Sequence, residues 1–248
     1  MPVPVKYAAP MLSPFQHLTF DVAAWLAALG LAAGLLLRQK QRFPSLPNAR
    51  AGRGWFLSLA AGSVAGSYLF GTANLWLSGG EGVSRSILGA LAGAVLAVEL
   101  YKRAVGLSGS TGGVLAAPLA LGIAIGRIGC HLAGIADFTY GIPTGAAWGV
   151  DMGDGIPRWP VALTEAGIMA ATAAGLLLWL RLRPEAMLAR GFAVFCLIYG
   201  MERFILEFLK PYAPVAGPFN LFHLLCAALI VYGAVKLREP VRRETALA

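Results

Sequence analysis

Two runs in this chain place ionisable side chains where the sequence is otherwise apolar. They are Gly126-Arg127-Ile128-Gly129 and Tyr199-Gly200-Met201-Glu202-Arg203-Phe204-Ile205-Leu206-Glu207-Phe208. A charged group at membrane depth costs several kcal/mol or more unless it is paired or hydrated, so such residues mark a polar chamber. Arginine presents a planar fork of donors that suits phosphate oxygens. Arg127 between small neighbours therefore reads either as a phosphate ligand or as a residue snorkelling from a span end. Arg203 and Glu207 are four apart and share a helix face, so they can pair, either to fix packing or to orient the arginine toward a ligand. Glu202 lies on a neighbouring face. Glu165 opens an apolar run and suits a helix N-terminal dipole partner or a chamber carboxylate. Glu99, one turn before Lys102 and Arg103, reads as an interfacial ion-pair partner. His131 follows Cys130 directly and reads as a structural hydrogen-bonding residue or a base. His17 and His223 take the structural reading.

The elements that carry these residues are membrane spans. The chain has 248 residues, 58% of them hydrophobic and 13% charged, and a mean hydropathy of +0.69. A soluble domain would carry about 25% charge. At about 20 residues per span, seven stretches are expected: Phe20–Leu37, Trp55–Leu77, Ile87–Tyr101, Val114–Leu132, Val161–Leu180, Phe192–Leu209 and Phe219–Val235. The expected fold is an all-α, polytopic membrane helical bundle. It forms a single transmembrane domain over 1–248, with an ordered external loop over 133–160. The glycines and prolines of that loop favour a folded-back path. The third and fourth spans are rich in Gly and Ala, which suits close helix packing.

Basic residues set the orientation. Arg38, Lys40, Arg42, Arg50, Arg53, Lys102, Arg103, Arg181, Arg183, Arg190, Lys236, Arg238, Arg242 and Arg243 fall on one side, fourteen in all. Lys6, Arg85, Arg158 and Lys210 make four on the other. The positive-inside bias predicts an external N-terminus and a cytoplasmic C-terminus. The first span lacks a basic start and a small-residue cleavage site, so it should be retained. The net charge of +8 follows from topology and is no argument for nucleic acid. Cys130, Cys196 and Cys226 read as buried thiols. Scattered His and Cys give no metal-ligand spacing. Phosphate-cradling loops and nucleophile-elbow serines are absent from the sequence.

The run Gly126-Arg127-Ile128-Gly129-Cys130-His131-Leu132-Ala133-Gly134, with Tyr140-Gly141 and Trp148-Gly149-Val150, resembles the signature of prolipoprotein diacylglyceryl transferases. Pro157-Arg158-Trp159-Pro160 through Glu165-Ala166, and Tyr199-Gly200 with Arg203-Phe204 and Glu207-Phe208, resemble two later blocks of that family. Seven spans with an external N-terminus are the topology the resemblance implies. The implied activity moves a diacylglyceryl group from phosphatidylglycerol to the lipobox cysteine of a pre-lipoprotein in the bacterial inner membrane. The partners would be phosphatidylglycerol or a related phospholipid, the signal peptide of a secreted pre-lipoprotein, and the membrane. Neither a cofactor nor a metal is implied. Arg203, Glu207 and His131 are the expected catalytic residues. Arg127, Gly129, Cys130, Gly141, Glu165 and Glu202 are the expected substrate contacts.

The chain also departs from the family pattern. The family histidine of the third span falls at Leu88, and the signature asparagine at Cys130. Trp159, Ala162 and Thr164 stand where the family has His, Gln and Tyr, and Asp137 falls near a signature glutamate. The alternative is a non-catalytic or re-purposed lipid-binding or transport paralogue of the same fold.

Overall fold

A computed structural model describes residues 14–38 and 49–239. Lys6, Lys40, Arg42, Arg242 and Arg243 of the orientation argument lie outside the described residues. Seven long helices dominate the described chain: α1 (Pro14–Arg38), α2 (Ala49–Leu77), α3 (Ile87–Ala104), α4 (Gly113–Ala133), α5 (Val161–Leu182), α6 (Pro184–Glu207) and α7 (Leu221–Arg238). Five of them (α1, α2, α4, α5 and α7) are long and apolar enough to cross a membrane. The other two carry more charge: Glu99, Lys102 and Arg103 in α3, and Glu185, Arg190, Glu202, Arg203 and Glu207 in α6.

Local chemistry explains several helix ends. Ser86 caps α3 by accepting from the Gly89 N–H at 3.1 Å. At α7, the Asn220 side chain accepts from the Phe222 and His223 N–H groups while His223 Nδ1 accepts from the Asn220 N–H, a reciprocal capping box. Arg183 separates α5 from α6. The proline that follows it disfavours helical geometry, and Arg183 takes φ −143° and ψ 71°. Pro184 then opens α6 at its first turn, where a missing N–H costs nothing. The helix therefore starts eight residues before the Phe192 expected from hydropathy, through a stretch containing Glu185 and Arg190.

Exposure is inverted relative to a water-soluble protein. Trp25 (68% exposed), Leu26, Leu29, Leu57, Leu69 and Val231 face outward, while Arg127, Glu165, Glu202, Arg203, Glu207 and Lys210 are buried. That pattern suits a lipid surround and a polar interior, and the protein is a multi-pass helical membrane bundle. Basic residues occupy the last turns of α1, α3, α5 and α7. The ends of α3 and α7 meet where Lys236 pairs with Glu99 at 3.3 Å, and Glu99 also binds Lys102 Nζ at 2.9 Å and the Tyr232 hydroxyl at 3.1 Å. Glu99 therefore serves as the ion-pair partner expected of it.

α2 and α3 pack through a glycine seam. A side chain on Gly66 would strike the Gly89 carbonyl, and one on Gly93 would strike the Gly62 carbonyl. Backbones this close allow dispersion contacts that larger residues forbid. Gly93→Leu should therefore lower the stability of the detergent-solubilised protein by at least about 1–3 kcal/mol. Thermal unfolding followed by fluorescence checks this, with Gly175→Leu as control, because nothing stands within 4 Å of a side chain there.

The segment between α4 and α5 is folded back on itself. A 3-10 turn at Gly134–Ala136 leads to a small antiparallel hairpin, β1 (Val150–Asp151) and β2 (Pro157–Arg158), with Val150 opposite Arg158. Asp151 Oδ1 accepts from the N–H groups of Gly153, Asp154 and Gly155 at 2.8, 3.0 and 2.9 Å, which closes the hairpin turn. Gly155, at φ 76°, lies in the left-handed region that favours glycine. Asp154 clamps the base of the turn through Arg158 Nη2 at 2.6 Å. That hydrogen bond holds the Asp154 carboxyl below its ordinary range. A lowered folded-state value means the stabilisation is complete above the unfolded value of about 3.9 and is lost as pH falls through the lower folded value. Protease cleavage of this loop should thus be flat from neutral pH down to the ordinary carboxylate range and accelerate below it. Asp154→Asn should remove that acid dependence.

Candidate functional site

α4, α5, α6 and the segment after α6 bring one cluster together near the bundle end opposite the Glu99 pair. Glu165, one turn into α5, is fully buried at its centre. Its Oε2 lies 2.6 Å from Arg127 Nε, and its Oε1 pairs with Arg203 Nη1 and lies 3.1 Å from Lys210 Nζ. One carboxylate therefore binds three cations. Arg203 Nη2 also lies 3.2 Å from Glu207 Oε2, the pair expected from the four-residue spacing. Asn220 Nδ2 donates to Glu207 Oε1 at 3.5 Å, which ties the cap of α7 to the cluster. The Nε of Arg203 is buried and has no hydrogen-bond partner among the described residues. Glu165 and Glu207 together balance two of the three cations.

Most expected site residues converge here, and some serve other purposes. Arg127 Nη1 reaches Cys130 Sγ at 3.9 Å, which puts that thiol at the cluster's edge. Cys130 is only partly buried, whereas Cys196 and Cys226 are fully so, and all three are free. Glu202 is 7% exposed and lies within electrostatic range of Glu165, Arg203 and Arg127. Gly129 faces away from the cluster, where a Cβ would stand 2.6 Å from Phe20 of α1. Its smallness serves α1–α4 packing. Gly141 belongs to the loop between α4 and α5, where any side chain would strike the Trp159 carbonyl. Its own carbonyl accepts from Arg158 Nη1 at 3.2 Å, and the next residue, Ile142, donates to the Leu209 carbonyl at 2.8 Å beside Lys210. Gly141 thus lets the loop lie against the end of α6. The His131 imidazole makes no hydrogen bond or ion pair to the cluster, and its Nδ1 is buried without a partner among the described residues. His131→Gln should accordingly leave the pH profile of any activity at this site unchanged.

Two members of the cluster escaped sequence reasoning. Lys210, counted from sequence among the outer basic residues, is 4% exposed and bound to Glu165. Its position three after Glu207 was the available signal. Asn220 was legible as an N-cap before the apolar run Leu221–Leu225, but its reach to Glu207 was not. Tyr212, which donates to the Phe138 carbonyl at 2.7 Å, joins the loop to the segment after α6. Burial pushes its phenol well above the ordinary range, so it remains a donor throughout the accessible pH range.

Comparison with known proteins matches this sequence to one family. The family model described as prolipoprotein diacylglyceryl transferase matches residues 73–238, a range that contains every residue of the cluster. A relative from Leifsonia xyli subsp. xyli, named phosphatidylglycerol–prolipoprotein diacylglyceryl transferase, is 29% identical over 189 residues, covering 70% of this chain and 54% of the relative. Proteins of the same name from Bordetella parapertussis and Oleidesulfovibrio alaskensis are each 33% identical, over 148 and 168 residues. Those matches cover 58% and 64% of this chain, and 53% and 61% of the relatives. The chain spans about half the length of most of the curated relatives it matches. With the family match extending over most of the chain, from α2 to the end of α7, this protein belongs to the prolipoprotein diacylglyceryl transferase family.

Proposed function

We propose that the protein is a transferase of the bacterial inner membrane that moves the diacylglyceryl group of phosphatidylglycerol to the lipobox cysteine of a pre-lipoprotein. The observation that carries this reading is the convergence of Arg127, Arg203 and Lys210 on one buried carboxylate inside a membrane bundle. Three cations held by two carboxylates, Glu165 and Glu207, leave one positive charge to meet an anion. The Arg203 Nε–H supplies a buried donor for a phosphate oxygen. Charge-assisted hydrogen bonds to phosphate are short and strong, and stabilising the departing phosphate is the largest demand of this chemistry. In the reaction the acceptor sulfur attacks the glyceryl carbon that bears the phosphate. An S–C bond forms, the C–O bond breaks, and glycerol phosphate leaves with the electron pair beside Arg203, Arg127 and Lys210.

The basic last turns of α1, α3, α5 and α7 support a cytoplasmic C-terminus, with the cluster and its loop toward the outer face, where a secreted acceptor arrives. Reporter fusions after Arg53 and after Arg190 should read cytoplasmic, and one near Asp151 should read external. An external signal at either of the first two overturns this orientation.

The direct test of function is complementation of a cell depleted of its own transferase, together with transfer from phosphatidylglycerol vesicles to a lipobox peptide by the purified chain. Growth and a thioether product are expected. One observation favours the second reading, a lipid-binding paralogue without transfer. Leu88, at the family's histidine position, is fully buried in the apolar core. Binding of phosphatidylglycerol without thioether formation would establish that reading.

A further inference from the structure

We infer that Glu202 is the proton acceptor for the attacking thiol in this chain, an inference that rests on the transferase reading above. The cluster contains three carboxylates, and two are fully engaged: Glu165 by three cations, Glu207 by Arg203 and Asn220. Glu202 is different. It is 7% exposed, and both of its carboxylate oxygens are buried with no hydrogen-bond partner among the described residues. A buried carboxylate whose lone pairs no donor satisfies is costly in a purely structural position.

Charged groups from three helices surround it. Arg127 of α4, Glu165 of α5 and Arg203 of its own helix act on it electrostatically. Tyr199, one turn earlier on α6, is also within range, fully buried, and its hydroxyl has no partner among the described residues. Both of its oxygens are therefore unbonded, within electrostatic range of the phosphate-binding arginines.

The other bases nearby are engaged or make no bond to the cluster, and the Asp137 carboxylate accepts from the Thr139 hydroxyl at 3.0 Å and faces Cys130. His223 Nδ1 accepts the Asn220 N–H at 3.1 Å, so its neutral ring carries a hydrogen on Nε2 and offers no lone pair. Its ring is packed against Phe204, Phe208 and Phe219. His131 makes no bond to the cluster, and Leu88 cannot take a proton.

The acceptor S–H proton passes to a Glu202 oxygen as sulfur attacks the glyceryl carbon. The S–C bond forms and the C–O bond to phosphate breaks with its electron pair. The Glu202 proton then passes to the departing glycerol phosphate or to water, which restores the carboxylate.

The test uses the purified full chain in phosphatidylglycerol vesicles with two peptides, one bearing the lipobox cysteine and one bearing selenocysteine in its place. A selenol ionises at neutral pH without help. Glu202→Gln should slow transfer to the cysteine peptide by about 10²–10⁴-fold. Its residual rate should rise with pH in step with the free thiolate, toward a thiol value of about 8.5. Transfer to the selenocysteine peptide should stay within a few-fold of native. Glu202→Asp, which keeps the carboxylate, should retain the native pH profile at a reduced rate, and it carries the test if Glu202→Gln melts early. Native rate and native pH profile in Glu202→Gln would overturn the inference, as would equal loss on both peptides. Failure of the native chain on both peptides would instead overturn the transferase reading, and this inference with it.

Discussion

Arg203→Ala should abolish diacylglyceryl transfer while leaving a folded, membrane-inserted protein. The arginine joins the two acidic centres of the site, with Nη1 on Glu165, Nη2 on Glu207 and Nε free of any partner among the described residues. Removing a single donor that stabilises developing charge typically costs about 10²–10³-fold in rate. Arg203 supplies both the charge and the free donor, so the loss should reach or exceed that range. Arg203→Lys should fail nearly as badly. One ammonium cannot span Glu165 and Glu207 and still present a donor to phosphate, because the planar fork is what reaches all three directions. Glu165 keeps Arg127 and Lys210 in either variant, so the fold should survive, as size-exclusion of the solubilised protein would check. Full activity in Arg203→Lys would show that charge alone suffices and would remove the oriented fork from the mechanism.

Glu165→Gln should have the largest effect on stability. The substitution preserves shape and removes one negative charge, leaving Arg203 with Glu207 and leaving Arg127 and Lys210 without a bonded anion among the described residues. Breaking a buried ion pair from one side costs about 3–5 kcal/mol, because the remaining charge is stranded. Here Arg127 and Lys210 are stranded at once and Arg203 loses one of its two anions, all three nearly inaccessible to water. The expected result is a sharply lowered unfolding temperature in detergent, partly recovered by millimolar phosphate or glycerol phosphate, since either anion can take the place of the lost charge. Glu165→Gln with native stability would mean that the three cations are satisfied by other groups. Stability lost without recovery by phosphate would mean that the chamber does not admit an anion.

The class of fold and the best local pair were legible in the order of residues alone. Apolar runs of span length, interrupted at Arg127 and Arg203, required a membrane bundle with a polar interior, because hydration and burial costs act on every residue wherever it packs. The four-residue spacing of Arg203 and Glu207 put them on one helix face, and their pairing needed nothing beyond helical periodicity. The glycines of α3 announced close packing, although not that α2 would be the partner. The rest was decided by tertiary structure. Glu165 stands 38 residues from Arg127 and from Arg203, and 45 from Lys210. No local pattern tells which face of α5 meets which face of α4 and α6. The same limit hid Gly129, whose place against Phe20 depends on where α1 docks, and Lys210, which seemed an outer surface charge until the chain folded it under Glu165. It also hid the free carboxylate of Glu202, because a lone pair is unsatisfied only relative to neighbours that packing brings or withholds. Periodicity and hydropathy are sums over adjacent residues, whereas an ion cluster is a contact among distant ones, and only the packed bundle sets those distances.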